Sequence, residues 1–192
     1  MKTEMTQHEY DFTLVIDGIA ELNEGVENAL FGAGCDDATF SIQYGRLCAD
    51  FARRAASLED AILGAIGDID KANIGARVSH VDECDLVTQA DIARRINRTR
   101  QQVCQFIKGT RGPGHFPAPE CHLSEGAPLW RWCAVSYWLA ANNIIRPEER
   151  WNAQVVATIN AMLELQQLYK EHPDLVQEVG KVVFTEPCPI CP

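Results

Sequence analysis

The sequence predicts an α+β chain built from two unlike parts, on three observations. Residues 1–82 alternate strand and helix patterns in the order β-α-β-β-α-β, and residues 83–145 carry two short capped helices followed by an aromatic-rich patch. The third observation is charge. Residues 1–88 hold 17 acidic and 6 basic residues, a net of −11, whereas residues 89–111 hold one acid and six bases, a net of +5. The remaining residues carry −4, so a basic island lies between acidic flanks in a chain whose total is −10. Such an island points to a local polyanion contact rather than a generally adhesive surface.

The elements of the first part follow in order. Residues 11–16 (DFTLVI) form a β-branched strand closed by Asp17 and Gly18. In residues 21–31, Leu22, Val26, Ala29 and Leu30 fall on one helical face, and Gly32 and Gly34 end the run. Residues 38–44 alternate as a half-buried strand, Gly45 turns the chain, and residues 46–53 alternate again. Ser57 caps a second helix with Asp60 at its third position, and Leu58, Ala61, Ile62, Ala65, Ile66 and Ile69 form its stripe. Residues 75–81 supply a last short strand. This order is that of the ferredoxin-like split βαβ arrangement, a fold that by itself names no function. It contains no glycine-rich phosphate loop, metal triad or nucleophile–base spacing, so no cofactor and no enzymatic activity is expected. Asp50 with Arg53 and Arg54 reads as solvated strand-edge charge.

The second part opens at Thr88, a helix cap with Asp91 three positions on; Ile92, Ala93 and Ile96 form the buried side. A short turn at Asn97 and Arg98 leads to Thr99, which caps a second helix with Gln102 in the capping-box position. Val103, Phe106 and Ile107 are its apolar face, and Gly109 ends it. Two such helices joined by three or four residues make a helix-turn-helix. Its second helix exposes Arg100, Gln101 and Gln105, with Arg98 and Thr99 at the start. Gln reads adenine bidentately, Arg reads guanine, and a helix N-terminus with Thr seats a phosphate. Arg94, Arg95, Lys108 and Arg111 suit sequence-blind phosphate contacts. Residues 120–123 and 128–132, joined by a turn at residues 124–127, are expected to pair as a two-stranded wing. A helix with Val135, Trp138 and Leu139 facing inward follows.

The blocks "QADIARRINRTRQQVCQFIKG", "FPAP" and "LWRWCAVSYWL", in that order, resemble the AlpA-type prophage regulators and excisionases of the MerR-like winged helix-turn-helix group. The match covers residues 86–141, under a third of the chain. The resemblance implies double-stranded DNA as partner, a recognition helix bearing Arg98, Thr99, Arg100, Gln101, Gln102 and Gln105, and a wing on the backbone or minor groove. Two features depart from the group: the "KGTRGPG" insert before Phe116, and the acidic N-terminal domain. They favour a regulator with its own pairing or sensing domain over a simple excisionase.

Residues 146–192 hold a long helix from Pro147 to Lys170, on which Trp151, Val155, Ile159, Met162, Leu163 and Tyr169 share a face suited to packing or to pairing in a homodimer. Cys188 and Cys191 form a terminal CxxC, half of a zinc site or a redox pair. His115, Cys121 and His122 lack zinc spacing, and the other cysteines read as small buried hydrophobes without a disulfide framework. Trp130, Trp132, Tyr137 and Trp138 are expected to build a small core rather than a stacking platform for single strands. No apolar run is long enough to span a bilayer and "MKTEM" opens no signal peptide, so a cytoplasmic location is expected. The sequence-level conclusion is a sequence-specific, autoregulatory DNA-binding regulator of prophage or mobile-element type. The alternative is an antitoxin or adaptor whose acidic N-terminal domain binds a basic protein partner.

Overall fold

The computed structural model describes residues 7–124 and 126–184. It is of the α+β class, as the sequence predicts. By its internal contacts the chain forms two compact units. One takes residues up to Phe12, 52–64 and 82–157; the other takes 13–51, 65–81 and the residues from Thr158 on.

A four-stranded sheet in the order β2-β3-β1-β4 is built from β1 (His8–Asp17), β2 (Ala38–Gln43), β3 (Arg46–Ala55) and β4 (Arg77–Val81). Strands β2 and β3 form an antiparallel hairpin through Tyr44 and Gly45, at φ 52° and 79°. Two consecutive left-handed residues are what a two-residue hairpin turn requires. Register sets Phe40 opposite Ala49 and Ile42 opposite Leu47, which puts the apolar members of both strands on one face. Strand β4 runs antiparallel to β1, with Leu14 opposite Val81 and Ile16 opposite Val78.

Helix α1 (Glu24–Ala33) starts three residues later than the sequence pattern predicts. The Asn23 side chain accepts the Val26 N–H at 3.1 Å, so Asn23 is the cap and residues 21–22 stay outside. Helix α2 (Leu58–Lys71) is capped as predicted: Asp60 N–H donates to Ser57 Oγ at 3.0 Å, and the hydroxyl donates to the Asp60 carboxylate at 2.7 Å. Its predicted stripe holds at Ala61, Ile62, Ala65 and Ile69, all buried.

Strand β5 (Leu86–Val87) precedes α3 (Gln89–Arg95) and α4 (Arg100–Ile107), and β6 (Trp130–Arg131) runs into α5 (Trp132–Ala141). Their shared core holds Val87, Ile92, Ala93, Val103, Trp130, Val135, Trp138 and Leu139. Of the expected wing the structure shows a part. Residues 120–123 and 128–132 meet antiparallel at one bridge, Cys121 with Leu129, beside which the Glu120 N–H donates to the Leu129 carbonyl at 2.7 Å. Trp130 and Arg131 pair instead with Val87 and Leu86. Pro119 and Pro128 flank the bridge without an N–H to donate, so that ladder does not lengthen. Asp85 holds the pairing that does form. Its carboxylate accepts from Arg131 Nε at 2.7 Å and Cys133 N–H at 2.9 Å, and its carbonyl accepts the Trp132 N–H at 2.6 Å.

Helix α6 (Pro147–Glu171) has the predicted extent but not the predicted face. Val155 and Ile159 are buried, whereas Trp151, Met162 and Tyr169 are exposed; Ala153, Val156 and Ala157 take their place. In the second unit the Asn160 amide bonds both the N–H and the C=O of Val81, at 2.8 and 3.0 Å. A side chain thereby occupies backbone groups that the terminal residue of an edge strand would otherwise present. Helix α7 (Pro173–Val183), which the sequence reading ran together with the tail, has Pro173 in its first turn. None of its residues is buried. No described helix is long and apolar enough to cross a membrane.

Candidate nucleic-acid interface

The surface that the sequence singles out is built on two successive capping boxes. In α3, the Thr88 hydroxyl accepts the Asp91 N–H at 3.2 Å and the Asp91 carboxylate accepts the Thr88 N–H at 2.9 Å. Hydrogen bonds from Thr88, chiefly its side chain, hold the Asp91 carboxyl below the usual carboxylate range. In α4, Thr99 and Gln102 repeat the arrangement at 3.2 Å in both directions. Between the helices Asn97 adopts φ 50°, and Arg98 N–H reaches back to the Ala93 carbonyl at 2.8 Å. The Gln89 side chain donates to the Arg100 carbonyl at 2.7 Å and ties the two helix starts together.

With Val103 buried and Phe106 and Ile107 packed against the core, helical geometry turns Gln101, Gln105 and Lys108 to the opposite side. Arg98 extends that stripe toward the turn, and Arg100 lies at its flank. Arg98, Thr99, Arg100, Gln101, Lys108 and Arg111 are exposed, and Gln102 and Gln105 are half-buried. The cap engages Thr99 and Gln102, which the sequence reading also placed on the recognition surface.

The six basic residues do not form one set. Arg94 pairs with Asp91 on its own helix. Arg95 is turned inward, with 23% of its side chain exposed: it lies 3.3 Å from Glu83, donates to the Cys84 carbonyl at 2.9 Å and stacks 4.9 Å over the Trp132 ring. Among the described residues, Arg98, Arg100, Lys108 and Arg111 have no ion-pair partner. From Ile92 to Pro119 the sequence contains no acid at all.

The aromatic patch is interior. Trp130, Trp132 and Trp138 are buried, and Phe116 packs edge-on against Trp138 and Trp130 with ring centroids 5.0 and 6.5 Å apart. Tyr137 alone of the four faces out, with the Arg150 guanidinium 4.5 Å from its ring. Burial, aided by the Asp85 carboxylate, pushes the Cys133 thiol up, which keeps it protonated. Among the described residues no three His, Cys, Asp or Glu side chains gather as a metal site; Cys188 and Cys191 lie outside the described residues. Sequence reasoning missed Asp85, whose role depends on partners 46 and 48 residues away. No family model matches the chain, and no similar curated protein or solved structure was found, so these residues alone carry the functional reading.

Proposed function

We propose that this protein is a cytoplasmic, sequence-specific regulator of prophage or mobile-element type, in which α3 and α4 form a helix-turn-helix that reads double-stranded DNA. The observation that carries the reading is the outward stripe Arg98, Gln101, Gln105 and Lys108, flanked by Arg100. These donors stand opposite an apolar core, on a doubly capped helix, within an acid-free stretch. Arg and Gln are the side chains that make bidentate contacts with guanine and adenine edges in the major groove. The AlpA-like blocks agree with this assignment. The strand order β2-β3-β1-β4, with one helix after β1 and another after β3, supports a ferredoxin-like N-terminal domain that pairs protomers or senses a signal. Exposed Leu175, Val179, Val182 and Val183 on α7 favour a homodimer joined through the C-terminal helices.

The test is a gel shift on the protein's own upstream region, with competitor DNA and varied salt. A discrete complex surviving competitor is expected, with footprints about 10 base pairs apart from centre to centre if a dimer binds. Replacing Arg100 and Gln101 together by Ala should weaken it about 10- to 100-fold. An unchanged affinity in that variant would mean that α4 is not the reading helix.

The net −11 on residues 1–88 supports a second reading, an antitoxin or adaptor whose acidic domain binds a basic protein. Co-purification of such a partner by the full chain, lost when the acids of that segment are neutralised, distinguishes it.

A further inference from the structure

Residues 108–115 (KGTRGPGH) have the composition of a flexible linker, yet the structure pins this loop along its length. The Gln105 carbonyl accepts the N–H groups of Thr110 and Arg111, at 3.0 and 3.3 Å, and the Thr110 hydroxyl at 3.4 Å. At the other end, the buried Trp138 indole donates to the Gly114 carbonyl at 2.9 Å. Between these anchors Gly112 lies on the Phe106–Trp138 ring pair. A Cβ there would sit 3.3 Å from Phe106 and 3.6 Å from Trp138, at a φ of 84° that side chains rarely adopt. Gly109, Gly114 and His115, at φ 66°, 78° and 53°, make the other left-handed steps.

This anchoring holds a particular set of groups outward. Lys108, Arg111 and His115 are exposed, and the nearest acids in sequence are Asp91 and Glu120. Lys108 is the last member of the α4 stripe, and Arg111 follows it three residues on, exposed and past the helix end. A cation at a helix C-terminus is favourable for the helix itself. That accounts for Lys108 but not for Arg111, whose side chain stands past the last turn without an ion-pair partner among the described residues. An eight-residue helix is only about 12 Å long, comparable to the width of a major groove, so a loop leaving its C-terminus meets the phosphates that wall the groove.

We propose that residues 108–115 are a preformed phosphate clamp: Lys108 and Arg111 engage the backbone of duplex DNA beside the bases read by α4, and Gly112 and Trp138 are positioning residues that hold them there. The clamp adds affinity without adding sequence preference. It rests on the helix-turn-helix reading of α4.

The experiment measures affinity for the upstream duplex between about 50 and 200 mM salt, with the wild-type full chain, with Lys108→Ala plus Arg111→Ala, and with Gly112→Ala. Thermal unfolding is recorded for each. Removing two phosphate contacts lowers the slope of log affinity against log salt by about 2 for each bound protomer, so the wild-type advantage shrinks about tenfold per protomer over that range. The footprint and base preference stay unchanged. Gly112→Ala removes no charge, but it should reduce the slope as well while the chain remains folded. A double variant with the wild-type slope overturns the clamp, and so does a Gly112→Ala protein that binds as wild type does. A wild-type chain that binds no duplex at all overturns the reading of α4, and the clamp with it. A duplex bound with unaltered slope in the variants removes the clamp alone.

Discussion

Helices α3 and α4 are neighbours of similar length with the same kind of cap, and basic residues sit on or beside each, yet those residues do opposite things. On α3, Arg94 is paired with Asp91, and Arg95 is committed to Glu83, the Cys84 carbonyl and the Trp132 ring. Around α4, Arg98, Arg100, Lys108 and Arg111 stand outward without ionic partners among the described residues. A basic island counted from sequence therefore divides into charge used for folding and charge left for a partner. The difference arises because α3 lies next to the acidic segment at residues 82–85, whereas no acid follows Asp91 until Glu120.

The largest expected effect removes what the two helices share. Trp138→Ala deletes the ring that packs on Phe106 and Phe116 and the indole that holds Gly114, and should cost about 3–5 kcal/mol in urea unfolding. A smaller loss would mean that the aromatic cluster is not the centre of this unit. A sharper comparison sets Arg95→Ala beside Arg98→Ala. The first should lose about 1–2 kcal/mol of stability, since it removes a stacked cation and leaves the Cys84 carbonyl without its donor. The second should change stability by less than about 0.5 kcal/mol but lower the salt slope of DNA binding by about 1. Equal stability losses in the two variants would erase the distinction.

Among the groups committed to folding, the smallest effect concerns the caps. Thr88→Ala should cost about 1 kcal/mol, as loss of an N-cap usually does. Acid probes the same bonds. The carboxyl of Asp91 titrates below its ordinary value in the folded chain, so its contribution is fully present above about pH 4 and disappears as pH falls through the lowered value. Comparing acid unfolding of wild type and Asp91→Asn should show the two curves converging below that pH. Curves that stay parallel down to acid would show that the Asp91 charge contributes nothing.

How much of the fold was legible follows the range of the interactions. Both capping boxes, the Ser57 cap and the buried stripe of α2 rest on residues three or four apart, and all were readable. The interior placement of Trp130, Trp132 and Trp138 was readable too, from their spacing among apolar neighbours. The extent of the wing was not, because Cys121 and Leu129 meet at one bridge while Trp130 and Arg131 take partners 43 and 45 residues upstream. The faces of α6 were misjudged at Trp151, Met162 and Tyr169, since several helical stripes satisfy the same periodicity and packing chooses among them. Helix α7 announced itself by Pro173, which went unused.

By itself, then, the sequence determined the α+β class, the caps that start α2, α3 and α4, and the concentration of positive charge between Asp91 and Glu120. Local hydrogen bonding and periodicity suffice for these. The tertiary structure alone decided that Asp85 locks β6 to β5, that Asn160 bonds the end of β4, that Arg95 turns inward, and that the glycine-rich loop is held against Phe106 and Trp138. Each depends on groups brought together from well beyond one helical turn in the chain. Their encounter is set by burial of the shared cores, which no local pattern encodes.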